Sequence, residues 1–485
     1  MKLGKCLVFI LLAIGGVYMS SCSKDDTITV STPPLVIGQT VSDAAPLTGN
    51  VKGTMLSDKT YTLGGNITVN AGDTLLMQPG VKLKVGKGLT ILVKGVFLSL
   101  GTKEKPNWIT AAESLPRTDA ISADPSTDKA FSGYWTGIQC NTTCTLLDLK
   151  WTHIEYVGGV FGADFFPEGS AAGSGAFGIQ FQNPAGDLIL EDCWGYGSVD
   201  DFMRISGGRF SVMRNTFEKC GFAGGDVINV KGGSVGDMAY NLFLGTATNG
   251  TKASNKSTKG IQTNVHMYNN TYINGGYRQK DPTGRGGSIN FEEGAKGKAY
   301  NNLMVNCRMG LRIHNKPHAD IVNLKYGYNF NYGDSARVVN NIYPVTPTTS
   351  VSVPQSTDIP TPTEAIFPAA KFSQAYLYVQ DASGDCPNIV TAYDGSTFIG
   401  KNNPMFVNFP LPVAGIKRLS DVSSVGSFDF HLKSTSPAVG KGTADANLVA
   451  PLAATLVTKS ALKAVITLPG ADMGCFQING NGNQH

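Results

Sequence analysis

Charged side chains gather in short segments in the second half of the sequence, where they could take part in chemistry. Lys231 and Glu292 each end such a segment, and Arg312 and His314 share a third. A polysaccharide lyase needs a base near a sugar C5 proton and a cation that neutralises the uronate. A glycoside hydrolase needs two carboxylates that are either about 5.5 Å or about 6.5–9.5 Å apart. Outward carboxylates are few here, so the sequence favours a non-catalytic protein over an enzyme.

These segments belong to a repeated five-residue pattern. The second and mostly the fourth residues are apolar, whereas the third and fifth are polar, which indicates a strand with one buried face. The pattern occurs at Gly137–Asn141, Gly178–Gln182, Phe202–Ser206, Val227–Lys231, Gly260–Asn264, Ser288–Glu292 and Gly310–His314. Steps of about 22 to 41 residues are typical of a solenoid whose coils carry variable loops.

Alignment of the segments predicts inner and outer columns of side chains. The inner columns are Ile138, Ile179, Met203, Ile228, Ile261, Ile289 and Leu311, and Cys140, Phe181, Ile205, Val230, Thr263, Phe291 and Ile313. The outer columns are Gln139, Gln180, Arg204, Asn229, Gln262, Asn290 and Arg312, and Asn141, Gln182, Ser206, Lys231, Asn264, Glu292 and His314. Coils stack about 4.8 Å apart, so each outer column would form a continuous polar strip.

The outer columns suggest a candidate binding surface. Its members carry amides or charges that could hold the hydroxyl groups of an extended sugar chain: Arg204, Asn229, Lys231, Asn290, Glu292, Arg312 and His314. The alternative is a solvated strand face that binds nothing, because any exposed strand face must be polar. The loop Tyr156–Ser170 offers a second surface, since exposed aromatic rings stack on sugars. Its rings are Tyr156, Phe161, Phe165 and Phe166, and they could equally fold onto the coil flank.

A column of asparagines accompanies the strands. Asn215, Asn241, Asn270 and Asn302 each stand two residues before a large apolar side chain. A stacked amide both donates and accepts, so such a column can hydrogen-bond from coil to coil.

The complete pattern resembles the right-handed parallel β-helix proteins. The runs from Gly72 to Leu83 and from Tyr134 to Ile138 look like those of β-helix lipoproteins of the Bacteroidota, and Asp472-Met-Gly474 resembles their closing segment. The resemblance implies an all-β, right-handed parallel β-helix with capped ends and long inter-coil loops. We expect the helix over 51–342, a Pro/Thr-rich excursion over 343–370, and final coils with a C-terminal cap over 371–485.

The resemblance does not extend to a known catalytic set. The Asn-Thr-Asp, Asp-Asp, Gly-His and Arg-Ile-Lys motifs of polygalacturonase-like hydrolases do not occur here as a set: only an Asp-Asp pair, Asp200-Asp201, precedes a strand, and Arg312-Ile-His314 resembles Arg-Ile-Lys weakly. A stacked Asp/Glu cluster of the pectate-lyase type is also missing from the sequence. Fold alone does not establish function.

The N-terminus looks like a bacterial lipoprotein signal. Lys2 and Lys5 precede an apolar run that is shorter than the roughly 20 residues of a spanning helix, and Ser20-Ser21-Cys22 resembles a lipobox. We expect cleavage after residue 21, acylation of Cys22 and a tether over 22–50. Ser23-Lys24-Asp25-Asp26 resembles the signal that sends lipoproteins to the outer face of the outer membrane.

Composition excludes several classes of protein. The net charge is +4, which indicates no nucleic-acid partner, and 58 glycines with 16% charged residues suit strands and turns. Of the nine cysteines, Cys6 lies in the signal and Cys22 at the anchor. The remaining seven lack metal-type spacing, so we expect most of them to be buried apolar residues, with one bridge allowed. Neither a cofactor nor a metal site is indicated, and the pairing of Cys386 with Cys475 stays open.

Three functions follow as expectations. The leading one is a surface lipoprotein that binds an extended polymer, most simply a glycan, or that serves as an accessory subunit of an outer-membrane nutrient importer. In the latter case its partner would be a TonB-dependent transporter with its lid lipoprotein. The second is a β-helix lyase or glycoside hydrolase, and the third is a structural or adhesive surface protein.

Overall fold

The computed structural model describes the greater part of the chain beyond residue 33. The described residues are 34–117, 125–257, 260–276, 278, 286–307, 310–314, 319–320, 322–333, 376–381, 384–386, 403–411, 428–445, 451–452 and 462–485. The predicted signal peptide, the lipidation site Cys22 and the predicted excursion over 343–370 lie outside this set. None of the described helices is long and apolar enough to cross a bilayer.

The chain winds into a right-handed parallel β-helix whose strands form three faces, here named A, B and C. Face A contains β2 (Gly53–Met55), β4 (Thr74–Met77), β7 (Val96–Leu100), β10 (Leu146–Lys150), β13 (Asp187–Glu191), the second halves of β15 (Met203–Met213) and β17 (Ile228–Ala239), β20 (Asn264–Tyr268), β23 (Lys296–Tyr300) and β26 (Leu324–Gly327).

Face B follows face A along the chain. It contains the first half of β3 (Thr60–Val69), β5 (Lys82–Val85), β8 (Asn107–Ala111), β11 (Thr152–Val157), β14 (Trp194–Ser198), β16 (Thr216–Cys220), β18 (Leu242–Leu244), β21 (Thr271–Ile273), β24 (Leu303–Val305) and β27 (Phe330–Tyr332). The loop between β8 and the next strand carries two short 3₁₀ helices, Pro125–Thr127 and Lys129–Phe131.

Face C completes each coil. It contains β1 (Leu47–Asn50), the second half of β3, β6 (Thr90–Val93), β9 (Gly137–Cys140), β12 (Ile179–Phe181), the first halves of β15 and β17, β19 (Thr251–Ser254), β22 (Ile289–Glu292), β25 (Leu311–His314) and β28 (Tyr376–Asp381). β29 (Gly384–Cys386) pairs antiparallel with β28, and β30 (Phe406–Asn408) pairs antiparallel with β31 (Asp429–Leu432). The first strand begins at Leu47, inside the segment that the sequence assigned to the tether.

The predicted inner columns form the core of face C. Ile179 pairs with Met203, and Met203 with Ile228, so side chains of equal register stack over one another. All three are fully buried, as are Ile138 and Ile289. Burial of one such side chain stabilises the fold by about 1.5–3 kcal/mol, and the strict period of two directs every second side chain to this core.

One predicted strand of face C is wrong. Gly260–Asn264 was expected to add a coil with Ile261 inside, but Ile261 is 55% exposed and precedes β20 of face A. The position on face C belongs to β19, whose Thr251 pairs with both Ile228 and Ile289. β19 has only Thr251 and Ala253 as inward residues, so it lacks the apolar signal that marks the other strands.

The predicted asparagine column is confirmed and is one residue longer than expected. Asn215, Asn241, Asn270 and Asn302 are fully buried, and each side-chain amide donates to Oδ1 of the next at 2.9–3.0 Å, the last reaching Asn329. The backbone N–H of each asparagine donates to the same oxygen. These buried amides are therefore satisfied from coil to coil, as buried polar groups must be.

The C-terminal residues 462–485, here named the strap, lie along the flank of the coils. The Val465 N–H donates to Glu191 of face A, and the Gly474 N–H donates to the Asn301 carbonyl several coils further on. The chain then returns, so that Asn483 donates to the Asn215 carbonyl. The strap joins coils that do not touch each other, whereas an unstrapped solenoid has contacts only between neighbours.

Candidate functional site

Face C brings the predicted polar residues into one row. Arg204 pairs with Asn229 across neighbouring coils, and Asn290 pairs with Arg312. Lys252 of β19 stands between the two pairs, because it is in register with both Asn229 and Asn290. Lys231 and Glu292 lie two residues further along their strands, in a second row. The His314 backbone pairs with Tyr378, but the His314 side chain lies outside the described residues.

This row is more buried than a solvated strand face would be. Asn229, Asn290 and Arg312 are buried, as is Gln139 at an earlier coil. Loop groups cover part of the row: the Gln139 amide donates to the Phe177 carbonyl, and the Arg204 guanidinium carbon lies 3.7 Å from the centroid of the Phe177 ring. The prediction of a continuous exposed strip is therefore too simple. The side chains of Arg204, Lys252 and Glu292 retain 29%, 18% and 13% exposure.

Asp201 anchors one end of the charged cluster. Its Oδ2 accepts hydrogen bonds from the Arg204 guanidinium at 2.6 and 2.9 Å and from the Asn229 amide at 2.9 Å. Its Oδ1 accepts the Asp226 N–H at 2.7 Å. One carboxylate thus sets the orientation of an arginine, an amide and the following loop.

Lys252 anchors the other end of the cluster. Its ammonium lies 2.7 Å from Glu292 and 3.8 Å from Asp226, and Asp226 also accepts the Asn249 amide at 2.8 Å. Burial raises the pKa of Asp226, although Lys252 acts against that shift. Burial by itself would lower the pKa of Lys252, but Asp226 and Glu292 outweigh it and raise that pKa. Sequence reasoning did not include Lys252, Asp201 or Asp226 in the candidate site, because β19 has no apolar pattern and the two aspartates precede their strands.

Lys231 differs from the other cations of the cluster. Burial, followed by the charge of Lys252, lowers its pKa, and the opposite effect of Glu292 does not compensate. No carboxylate of the described residues lies within ion-pair distance of Lys231. Asn229 and Asn290 turn their amide nitrogens towards Asp201 and Glu292, which leaves each Oδ1 buried without a donor from the described chain. The cluster therefore contains a half-buried cation without an ion-pair partner among the described residues, and two buried amide oxygens without a described donor.

The predicted aromatic loop divides into buried and exposed rings. Tyr156 and Phe161 are buried, and the Tyr156 ring packs edge-on against Tyr196 while its hydroxyl donates to the Leu115 carbonyl at 3.2 Å. Both therefore belong to the core. Phe165 is half-buried and Phe166 is 39% exposed, so only these two remain as candidates for contact with a ligand.

Face B carries a second buried acidic cluster that sequence reasoning missed. Glu155 and Glu218 occupy the same register position on coils separated by that of Tyr196. Arg117 lies 3.7 Å from Glu155 and 3.2 Å from Glu218, and its guanidinium covers the Trp194 and Tyr196 rings. Because a single arginine occupies both carboxylates, the cluster fixes the loop after β8 onto the coils.

No protein-family model matches this chain, and no match was found among curated proteins or solved structures. The site must therefore be judged by its own chemistry. Among the described residues, no group of three or more His, Cys, Asp or Glu side chains could hold a metal ion. The described cysteines are free thiols and all are buried: Cys140, Cys144, Cys193, Cys220, Cys307 and Cys475. The Cys386 side chain lies outside the described residues.

Proposed function

We propose that this protein is a non-catalytic surface lipoprotein that binds an extended glycan along face C. The observation that carries the proposal is the register of Arg204, Asn229, Lys252, Asn290 and Arg312 on successive coils. Successive coils repeat every 4.8 Å or so, which spaces the partly exposed Arg204, Lys231, Lys252 and Glu292 at regular intervals for a ligand that is itself repetitive. A carboxylate acceptor beside arginine and lysine donors suits sugar hydroxyls, which both donate and accept.

The cellular setting is part of the same proposal. The resemblance of residues 20–26 to a lipobox followed by a surface-export signal supports a lipid anchor at Cys22 on the outer membrane of a member of the Bacteroidota. Labelled fatty acid should be incorporated into the expressed protein and lost in Cys22→Ala. A surface location also makes a TonB-dependent transporter with its lid lipoprotein a reasonable partner. Co-purification from native membranes would test that association.

Binding and catalysis can be separated in one experiment. The purified protein is incubated with a panel of plant, algal and microbial polysaccharides, and both retention on immobilised glycan and release of new chain ends are measured. Retention without new reducing or unsaturated ends supports the proposal. New ends would overturn the non-catalytic assignment, and absence of retention on every glycan would overturn the binding assignment.

A polysaccharide lyase is the second candidate, and Lys231 is the observation that favours it. A lysine whose pKa is lowered by burial and by Lys252 is shifted in the direction that a general base requires. Arg204 on the adjacent coil could neutralise a uronate carboxylate. Release of unsaturated ends that disappears in Lys231→Gln would establish this candidate.

A further inference from the structure

We propose that the glycan recognised by face C is acidic, and that Lys231 holds its anionic group. The inference rests on the proposed function and names the chemical class of ligand for the same site. It follows from three features of the cluster: the unequal pairing of its charges, the fixed orientation of its amides and the partial exposure of its cations.

The cations of the cluster are unequally paired with its carboxylates. Arg204 is bound by Asp201, and Lys252 is bound by Glu292 with Asp226 nearby. Lys231 is half-buried in the same cluster, and the part of the chain that the structure describes places no carboxylate within ion-pair distance of it. A partly desolvated ammonium is stabilised by an anion at hydrogen-bond distance. The lowered pKa of Lys231 agrees with this account, because it reports burial beside Lys252 without sufficient compensation.

The buried amides of the cluster have a fixed orientation. The Asn229 amide nitrogen donates to Asp201 at 2.9 Å, and that of Asn290 donates to Glu292 at 2.9 Å. Each amide is thereby fixed with its oxygen as an acceptor, and both oxygens lack a donor among the described residues. Because both oxygens are buried, a ligand can contact only the partly exposed groups of the cluster, namely Lys231 and its neighbours Arg204, Lys252 and Glu292. A sugar with an anionic group satisfies Lys231, and its hydroxyl groups can contact the exposed parts of these neighbours.

The experiment compares polymers that differ only in charge. Binding to immobilised wild-type protein is measured for polygalacturonate and for its fully methyl-esterified form, and for chondroitin sulfate and chemically desulfated chondroitin. Esterification removes the carboxylate charge and retains the hydroxyl groups. A single-stranded oligonucleotide serves as a polyanion without the sugar hydroxyl pattern. We expect at least tenfold tighter binding of polygalacturonate than of its neutral ester, which corresponds to one charge-assisted hydrogen bond. Desulfated chondroitin retains its carboxylates, so the chondroitin pair tests the contribution of sulfate alone.

Variants of Lys231 test the residue itself. Lys231→Gln should weaken binding of the acidic glycan about tenfold, whereas Lys231→Arg should retain it within about twofold because the positive charge remains. Lys87→Gln, an exposed lysine before β6 on a distant coil, is the matched control and should bind as wild type. Thermal unfolding of each variant verifies that the coils remain folded.

The outcomes distinguish this inference from the proposed function. Equal binding of polygalacturonate and its ester, or unchanged binding by Lys231→Gln, overturns the acidic preference while glycan binding itself stands. Tighter binding of the oligonucleotide than of any glycan overturns the inference in favour of a general polyanion surface. Failure to bind any charged or neutral glycan overturns the proposed function as well. The separate sulfate and carboxylate pairs show which anionic group Lys231 recognises.

Discussion

The Lys252 ammonium lies 2.7 Å from Oε1 of Glu292, one coil further along face C. The two residues are far apart in sequence. They pair because successive coils place β19 against β22. Asp226 approaches the same ammonium from the preceding loop. This lysine therefore neutralises two carboxylates at the centre of the proposed binding surface.

The first prediction concerns this lysine. Lys252→Met should lower the free energy of unfolding by about 2–4 kcal/mol, because it leaves Glu292 and Asp226 without their shared cation in a partly buried site. The double variant Lys252→Met/Glu292→Gln should recover part of that loss. Urea denaturation of the wild type, both single variants and the double variant measures the coupling. Strictly additive effects would show that the pair contributes no coupling energy.

The second prediction concerns the asparagine column. Asn241→Ala removes one amide from the middle of the column, so that the Asn215 amide loses its acceptor and the Val212 carbonyl loses its donor. Each buried group left unsatisfied costs about 1–3 kcal/mol. Asn50→Ala, at an exposed end of β1, is the control and should change stability by less than about 0.5 kcal/mol. Similar thermal midpoints for the two variants would contradict a stabilising role for the column.

The third prediction concerns pH and Asp148. Asp148 is fully buried on face A, and burial raises its pKa to about 8, with Lys150 lowering it and Glu191 raising it further. The unfolded chain loses this proton near its ordinary pKa of about 4. Between these two values the folded protein binds the additional proton, so the Asp148 contribution to stability falls as pH rises from about 4 to about 8 and stays low above that.

Asp148→Asn should therefore raise the free energy of unfolding by about 3–5 kcal/mol at pH 9 and change it little at pH 4. Thermal unfolding of the wild type and the variant at both values measures the difference. Asp164→Asn, on an exposed loop, is the control. An equal effect of Asp148→Asn at the two pH values would exclude the titration of this carboxyl as the cause.

The fourth prediction concerns the attachment of the strap. Arg214 binds Asp192 through two nitrogens and donates to the Val465 carbonyl and the Thr467 hydroxyl, with only 7% of its side chain exposed. Arg209 binds Asp187 in the same two-pronged way but is 50% exposed and does not contact the strap in the described structure. Arg214→Gln should cost about 3 kcal/mol, and Arg209→Gln less than about 1 kcal/mol.

Limited proteolysis at Lys463 reports on the strap directly. Cleavage should become faster in Arg214→Gln than in Arg209→Gln, because release of the strap opens the backbone around Val465. Equal cleavage rates in the two variants would indicate that other contacts, such as those of Asn483 and Tyr240, hold the strap without Arg214.

The sequence alone determined the fold and the register of most coils. Its period of two and its repeated asparagines are local patterns, and each coil uses them for the same physical purpose, namely to bury one face and to satisfy buried amides. The local pattern is therefore sufficient to place Ile179, Met203 and Ile228 in one column. The strand Thr251–Ser254 carries no such pattern. The five-residue pattern instead matched Gly260–Asn264, and the strand predicted there was wrong.

Only the tertiary structure decided what surrounds each outward residue. The alternation of apolar and polar residues along a strand predicts that Asn229 and Arg312 point away from the core. It does not predict that loops and neighbouring charged residues then bury them. Loop residues such as Asp201 and Asp226 join the site through coil stacking, which no local pattern encodes. The path of the strap from Glu191 to Asn301 and back to Asn215 likewise depends on contacts between residues far apart in sequence. Burial and pairing of charges arise from such distant contacts, whereas strand register arises from neighbours along the chain.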